Sequence, residues 1–123
     1  MKLGVCVPYR NREEHMNTFV PHIHKFLNER GIEHAIYLGH QCDDKLFNRG
    51  AMKNIAAEHA LNDGCDYVAF HDVDMLPEND SCDYSYPENY PTHIATALSK
   101  YKYKLNKYIS FSILFAHNSA FKI

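Results

Sequence analysis

Two carboxylates, Asp72 and Asp74, stand on either side of Val73 at the end of the apolar run Tyr67-Val68-Ala69-Phe70. Residues two apart on a strand face the same side. Carboxylates held side by side repel unless a cation lies with them, and oxygen donors of this kind suit Mg²⁺ or Mn²⁺. The competing reading is a turn in which one aspartate caps a helix and the other is solvated. Arg10 and Arg12 flank Asn11 just after the first apolar run. Guanidinium groups placed there can grip a diphosphate through paired N–H donors. Cations oppose the dipole of a helix start, and a bound anion removes that opposition; a solvated helix start is the plainer reading. Phe47-Asn48-Arg49 alone reads as a hydrophobic anchor, a cap and a surface arginine. It gains meaning from the other two groups.

Other chemistries find less support. The nine histidines are scattered. His22 and His24 are two apart on an expected helix and do not share a face. His71 should face away from Asp72 by strand alternation. Each histidine reads as a surface or hydrogen-bonded core residue. There is no nucleophile-elbow pattern and no glycine-rich phosphate loop. The four cysteines, Cys6, Cys42, Cys65 and Cys82, form no C-x-x-C pair, which argues against a cysteine zinc site. Reduced thiols in a cytoplasmic setting are expected, with a Cys65–Cys82 bridge left open.

The elements that must position these groups follow from hydrophobic periodicity. Leu3 to Val7 reads as a buried strand closed by Pro8. Asn11 offers an N-cap to a helix with Glu13 and Glu14 in its first turn. Met16, Phe19, Val20, Ile23, Phe26 and Leu27 give that helix one apolar face. Pro21 should kink or split it near Val20, and Gly31 ends it. Ala35 to Leu38 reads as a second strand. A second helix starts at or near Asn48, with Met52, Ile55, Ala56, His59 and Ala60 along one side, and stops at Asn62-Asp63-Gly64. Tyr67 to Phe70 is the third strand. Residues 77 to 91 read as an irregular loop. Ile94 to Leu98 suits a short strand or helical turn, and Ile109 to Ala116 a last strand.

Strand, helix, strand, helix, strand implies βαβ crossovers and a largely parallel sheet with helices on its faces. Ligands of such sheets bind beyond the carboxyl ends of the strands, where all three groups fall. The 123 residues suit a single domain and the 46% apolar content supplies a core. The net charge of -2, without a basic run, does not favour nucleic acid as a partner. The opening apolar run is too short for a signal-peptide core, and no stretch is long enough for a membrane span.

Taken together these residues resemble the β-1,4-galactosyltransferase family. The likeness runs in order through Val7-Pro8-Tyr9-Arg10-Asn11-Arg12-Glu13-Glu14-His15, Phe47-Asn48-Arg49-Gly50, Phe70-His71-Asp72-Val73-Asp74-Met75-Leu76-Pro77-Glu78-Asn79-Asp80 and Pro91-Thr92-His93-Ile94. It covers residues 3–105; the tail, 106–123, looks divergent. The resemblance implies a GT-A-like, Rossmann-like fold and an inverting transfer from a UDP-sugar, of the UDP-galactose type, to a glycan acceptor ending in N-acetylglucosamine or a similar sugar. It implies that Pro8, Tyr9, Arg10, Arg12, Phe47, Arg49, Asp72 and Val73 bind the nucleotide-sugar, and that Asp74 is a direct ligand of Mn²⁺.

The departures bear on activity. The family's Gly-Gly motif and the later Trp-Gly-Trp-Gly-Gly-Glu-Asp-Asp-Asp stretch, which is similar to its acceptor site and supplies its base, have no counterpart here, and the chain has no tryptophan. A truncated fold is therefore expected, with no catalytic base assigned and an exposed sheet edge that favours self-association. Animal members carry a cysteine pair around the D-x-D; Tyr67 and Tyr86 stand in those places. The reading that follows is a UDP-sugar-dependent glycosyltransferase domain. Its rival is a catalytically incomplete nucleotide-sugar-binding module, and a third reading is a receiver-like Mg²⁺/phosphate protein.

Overall fold

The structure, a computed structural model, describes residues 1–78, 80, 82–94 and 114–117. Its elements are β1 (Leu3–Tyr9), α1 (Glu13–Glu29), β2 (His34–His40), α2 (Arg49–Asn62), β3 (Tyr67–Phe70), β4 (Thr92–His93) and β5 (Leu114–His117). The sheet order is β2-β1-β3-β5-β4. β1 pairs parallel with β2 and with β3, whereas β5 is antiparallel to both β3 and β4. The sheet is thus mixed, and its three-stranded part β2-β1-β3 is parallel, in keeping with the largely parallel sheet expected. The expected last strand is seen over Leu114–His117, beginning inside the expected range and ending one residue past it. Residues 95–98 and 109–113 of the last two expected elements lie outside the described residues. Among the described residues no helix is long and apolar enough to cross a membrane.

The two faces of β1 bury different sets of side chains. Leu3, Val5 and Val7 pack with Phe19, Ile23, Phe26 and Leu27 of α1. Cys6 packs with Ala56, Ala57 and Ala60 of α2, together with Val68 and Phe70 of β3. Helices on both faces with β1 central give an α/β/α layering, and the chain reverses its direction of travel across the sheet at β1. That reversal opens a crevice beyond the carboxyl ends of β1 and β3.

Several local expectations change. Pro8 does not close β1, which runs on to Tyr9. Cys6 turns its carbonyl toward β3, accepting from the His71 N–H at 2.9 Å, and Pro8 has the same parity. β3 ends at Phe70, opposite Cys6, so the N–H that proline lacks has no strand to serve. Asn11 is not the cap of α1. It takes φ 53, a left-handed conformation that asparagine tolerates, and Arg12 holds the N-cap position without a side-chain cap. Pro21 does not split α1, which runs as one helix from Glu13 to Glu29. It lies on the exposed face, where water can solvate the carbonyl one turn earlier that loses its donor. The helix closes as expected at Gly31, φ 67, where the Gly31 and Ile32 N–H groups donate to Asn28 and Leu27 carbonyls in a Schellman motif.

α2 buries Ala56, Ala57 and Ala60, while Ile55 is 45% exposed and does not join that face. Small residues suffice because the backbones come close. A Cβ on Gly4 would lie 2.7 Å from that of Ala60, and one on Gly39 would lie 2.2 Å from the Met52 carbonyl oxygen.

Candidate functional site

Three loops meet at the crevice. Pro8, Arg10 and Arg12 come from the end of β1, Phe47 and Arg49 from the β2–α2 connection, and Asp72, Val73 and Asp74 from the end of β3. These eight residues line one cleft of about 310 Å³. Tyr9 is the sequence candidate that does not join them. It alternates to the other face of β1 and packs edge-on against His40 at a ring separation of 5.0 Å.

Each loop has a visible brace. Arg10 Nη1 donates to the carbonyls of Asp43, at 3.2 Å, and Lys45, and its guanidinium carbon lies 5.3 Å from the centre of the Phe47 ring. The β2–α2 loop is organised by Gln41, a buried residue. Its amide donates to Asp43 Oδ1 and to the Leu46 carbonyl, and its oxygen accepts from Asn48 N–H at 2.8 Å. Asn48 then caps α2, accepting from Ala51 N–H at 3.0 Å. The cap was legible in the sequence. Gln41 was not, because a lone polar residue after a strand carries no pattern.

The two aspartates differ. β3 stops at Phe70 and Val73–Asp74 form a turn, so strand alternation does not hold them together; the turn does. Asp72 accepts from Arg49 Nη2 at 2.9 Å through Oδ2, and its Oδ1 lies 3.9 Å from Lys53 Nζ. Asp74 is exposed, and among the described residues its carboxylate makes no ion pair. Lys53 escaped the sequence reading, although its place one turn after Arg49 puts both cations on one helix face. Burial lowers the Lys53 ammonium from its ordinary range and Arg49 adds to this, while the Asp72 charge opposes it.

His71 does not act in the cleft. It is fully buried, its ring tilted against that of Phe19 at a centroid separation of 4.8 Å. His22 and His24 do reach separate partners, the Pro77 carbonyl at 2.7 Å and His34 at 2.7 Å. None of the four cysteines is in a disulfide. Cys65 packs with the α2 face and Cys82 against the α1 face, so no Cys65–Cys82 bridge forms.

Among the described residues no group of three or more His, Cys, Asp or Glu gathers to hold a metal. One open carboxylate, Asp74, fits an ion that takes a single protein carboxylate and completes its shell with substrate phosphates and water.

Comparison with known proteins places this architecture. Residues 1–87 match the family profile described as the N-terminal region of glycosyl transferase group 7. Mouse β-1,4-galactosyltransferase 7 is 45% identical over 95 residues, 77% of this chain and 29% of that protein. The Drosophila melanogaster β-1,4-galactosyltransferase 7 is 38% identical over 122 residues, 98% of this chain and 37% of that protein. A crystal structure of a Drosophila β-1,4-galactosyltransferase 7 mutant in complex with manganese, UDP-Gal and xylobiose superposes with a TM-score of 0.86 at 39% identity, over 98% of this chain and 50% of that one. The chain therefore spans half or less of the relatives it matches, and its α/β fold is that of the GT-A galactosyltransferases. By profile, sequence and superposition alike, the chain belongs to glycosyl transferase group 7, the β-1,4-galactosyltransferase family.

Proposed function

We propose that this chain binds a UDP-sugar of the UDP-galactose type together with Mn²⁺, as the donor-binding part of an inverting galactosyltransferase. The observation that carries the reading is the meeting of eight residues from three separate loops in one cleft. Arg10 and Arg12 supply charge for the diphosphate. Arg10 uses one nitrogen on backbone carbonyls, which leaves N–H donors on the rest of its guanidinium. Phe47, 39% exposed, offers a ring face to the base, and Pro8 and Val73 offer apolar wall. Tyr9 backs this wall from the far side of β1. Asp72 orients Arg49, and Asp74 would hold the metal. When bound, the divalent ion neutralises charge that develops on the departing diphosphate; the arginines act on the same charge.

The relatives favour this reading. The fly enzyme was crystallised with manganese and UDP-Gal, which supports Mn²⁺ over Mg²⁺. Its acceptor-like ligand is xylobiose, so a xylose-terminated acceptor stands beside the N-acetylglucosamine-terminated one implied by the family likeness.

Calorimetry with UDP, with and without Mn²⁺, is the direct test, using the whole chain and Asp74→Ala. Metal-dependent binding is expected in the former and none in the latter. Intact binding in Asp74→Ala removes Asp74 from its role. Incubation with UDP-galactose, Mn²⁺ and either acceptor then separates the rivals. Product from the purified chain makes it an enzyme, and binding without product makes it a nucleotide-sugar-binding module.

A further inference from the structure

The turn that carries Asp74 is anchored from inside the protein. The Asp72 carbonyl accepts from the Met75 N–H at 3.3 Å, closing a four-residue turn with Asp74 at its third position. The same carbonyl lies 2.8 Å from His71 Nδ1, and His71 Nε2 lies 2.9 Å from the Tyr84 hydroxyl. A carbonyl can only accept, so Nδ1 carries the hydrogen. In a neutral imidazole Nε2 is then bare and accepts, so Tyr84 donates. Tyr84 is 1% exposed and in turn accepts at its own backbone carbonyl from the Tyr67 hydroxyl at 2.8 Å. Every hydrogen in this chain has one assigned direction, from β3 through the 82–86 segment and back to the end of β3.

We propose that His71 and Tyr84 are positioning residues for Asp74, holding the turn that aims its carboxylate into the cleft. The inference rests on the reading of Asp74 as the metal ligand. An apolar residue would fill the space beside Phe19 without two nitrogens to satisfy, and a buried polar ring is costly unless both are bonded. Here both are bonded, and one bond ends on the carbonyl that defines the turn. Asp74 is exposed and has no side-chain brace among the described residues, so the backbone is what fixes it. A ligand held by its turn needs that turn held to a fraction of an ångström.

The test compares wild type with Tyr84→Phe, His71→Gln and His71→Asn, all measured below their melting temperatures. Tyr84→Phe removes one hydroxyl and keeps the ring on Phe26. His71→Gln loses the donor at the Nδ1 position, and His71→Asn retains one near it. Two midpoints are read, that of Mn²⁺ at saturating UDP and that of UDP at saturating Mn²⁺. The Mn²⁺ midpoint of His71→Gln should rise about tenfold, that of Tyr84→Phe by less, and the UDP midpoint should stay within about threefold. His71→Asn should recover part of the loss. Unchanged Mn²⁺ midpoints, or both midpoints moving together, overturn the proposal, and Tyr84→Phe alone decides it where the histidine variants do not fold. If wild type itself binds UDP without regard to Mn²⁺, the donor-site reading fails first, and this inference with it.

Discussion

Arg49 Nη2 donates to Asp72 Oδ2 at 2.9 Å, tying the first residue of α2 to the segment just beyond β3. With Lys53 Nζ 3.9 Å from the other oxygen, the Asp72 carboxylate faces two cations. In the proposed site its work is to orient Arg49, which is half exposed. Asp72→Ala should therefore weaken UDP binding about tenfold, the scale of one charge-assisted hydrogen bond at a partly exposed site. The Mn²⁺ midpoint should stay where it is. A metal midpoint that moves as far as the UDP affinity would make Asp72 a ligand and sink this assignment.

The placing of that ion pair depends on how closely α2 approaches β2. At Gly39 a Cβ would stand 2.2 Å from the Met52 carbonyl oxygen, against backbone that cannot swing aside. Gly39→Ala should cost about 1–3 kcal/mol or more in a denaturant melt, as overpacking against a rigid neighbour does. It should also displace the turn bearing Arg49 and Lys53. Gly50 is the control: its added Cβ would meet only Asn48 Oδ1, at 3.8 Å. Gly50→Ala should be neutral or stabilising by up to about 1 kcal/mol, because alanine favours the helix. Equal losses at both positions would mean that the close approach is not what matters.

The five elements up to Phe70 were legible because their hydrophobic periods are clean, and β3 was found to the residue. What escaped reading has a physical cause in each case. Pro8 and Pro21 were expected to break elements; Pro8 sits where its missing N–H faces no strand, and Pro21 lies on the exposed helix face, where water can take the place of the donor it lacks. The buried face of α2 was misjudged because Gly4 and Gly39 let alanines do what larger residues usually do. The cleft loops were readable by residue type, but Gln41, Lys53 and Tyr84 were not, since their partners lie in other segments. The family likeness put Tyr67 and Tyr86 where animal relatives carry a cysteine pair. In this chain the two rings meet edge to face, 5.3 Å apart at 89°, a contact worth about 1 kcal/mol beyond the area it buries.

The thiols make a separate prediction. Burial, and then the neighbouring Cys65, push Cys6 up to about 12, so it stays a protonated, shielded thiol at neutral pH. Cys42 is exposed and Cys82 partly so, while Cys65 is buried like Cys6. Alkylation of the native protein should label Cys42 first and Cys82 next, and leave Cys6 and Cys65 intact until denaturant is added. Denaturation without reductant should then expose the other two, bringing the labelled thiols to four in all, read by mass spectrometry. Fewer than four would reveal a disulfide, and early labelling of Cys6 would contradict its place in the core.

Acid should strike the protein through His71. Burial pushes its imidazole down to about 4, although the hydrogen bond to the Asp72 carbonyl and the Asp72 charge pull the other way. In the unfolded chain the same ring takes its proton near the ordinary value of about 6.5. Between these limits the unfolded state binds more protons than the native one, so stability rises with pH. The contribution is complete above about pH 6.5 and is lost as pH falls toward about 4, a total of about 3 kcal/mol. Native carboxylates also begin to protonate at the lower end, so the comparison must be with His71→Asn, which lacks the titrating ring. Denaturant melts in metal-free buffer from about pH 7 to about pH 5 should show wild type losing stability more steeply than the variant. An NMR titration checks the cause: a His71 ring resonance that shifts with a midpoint near 6.5 would show that the imidazole is not held neutral, and parallel pH slopes for the two proteins would say the same.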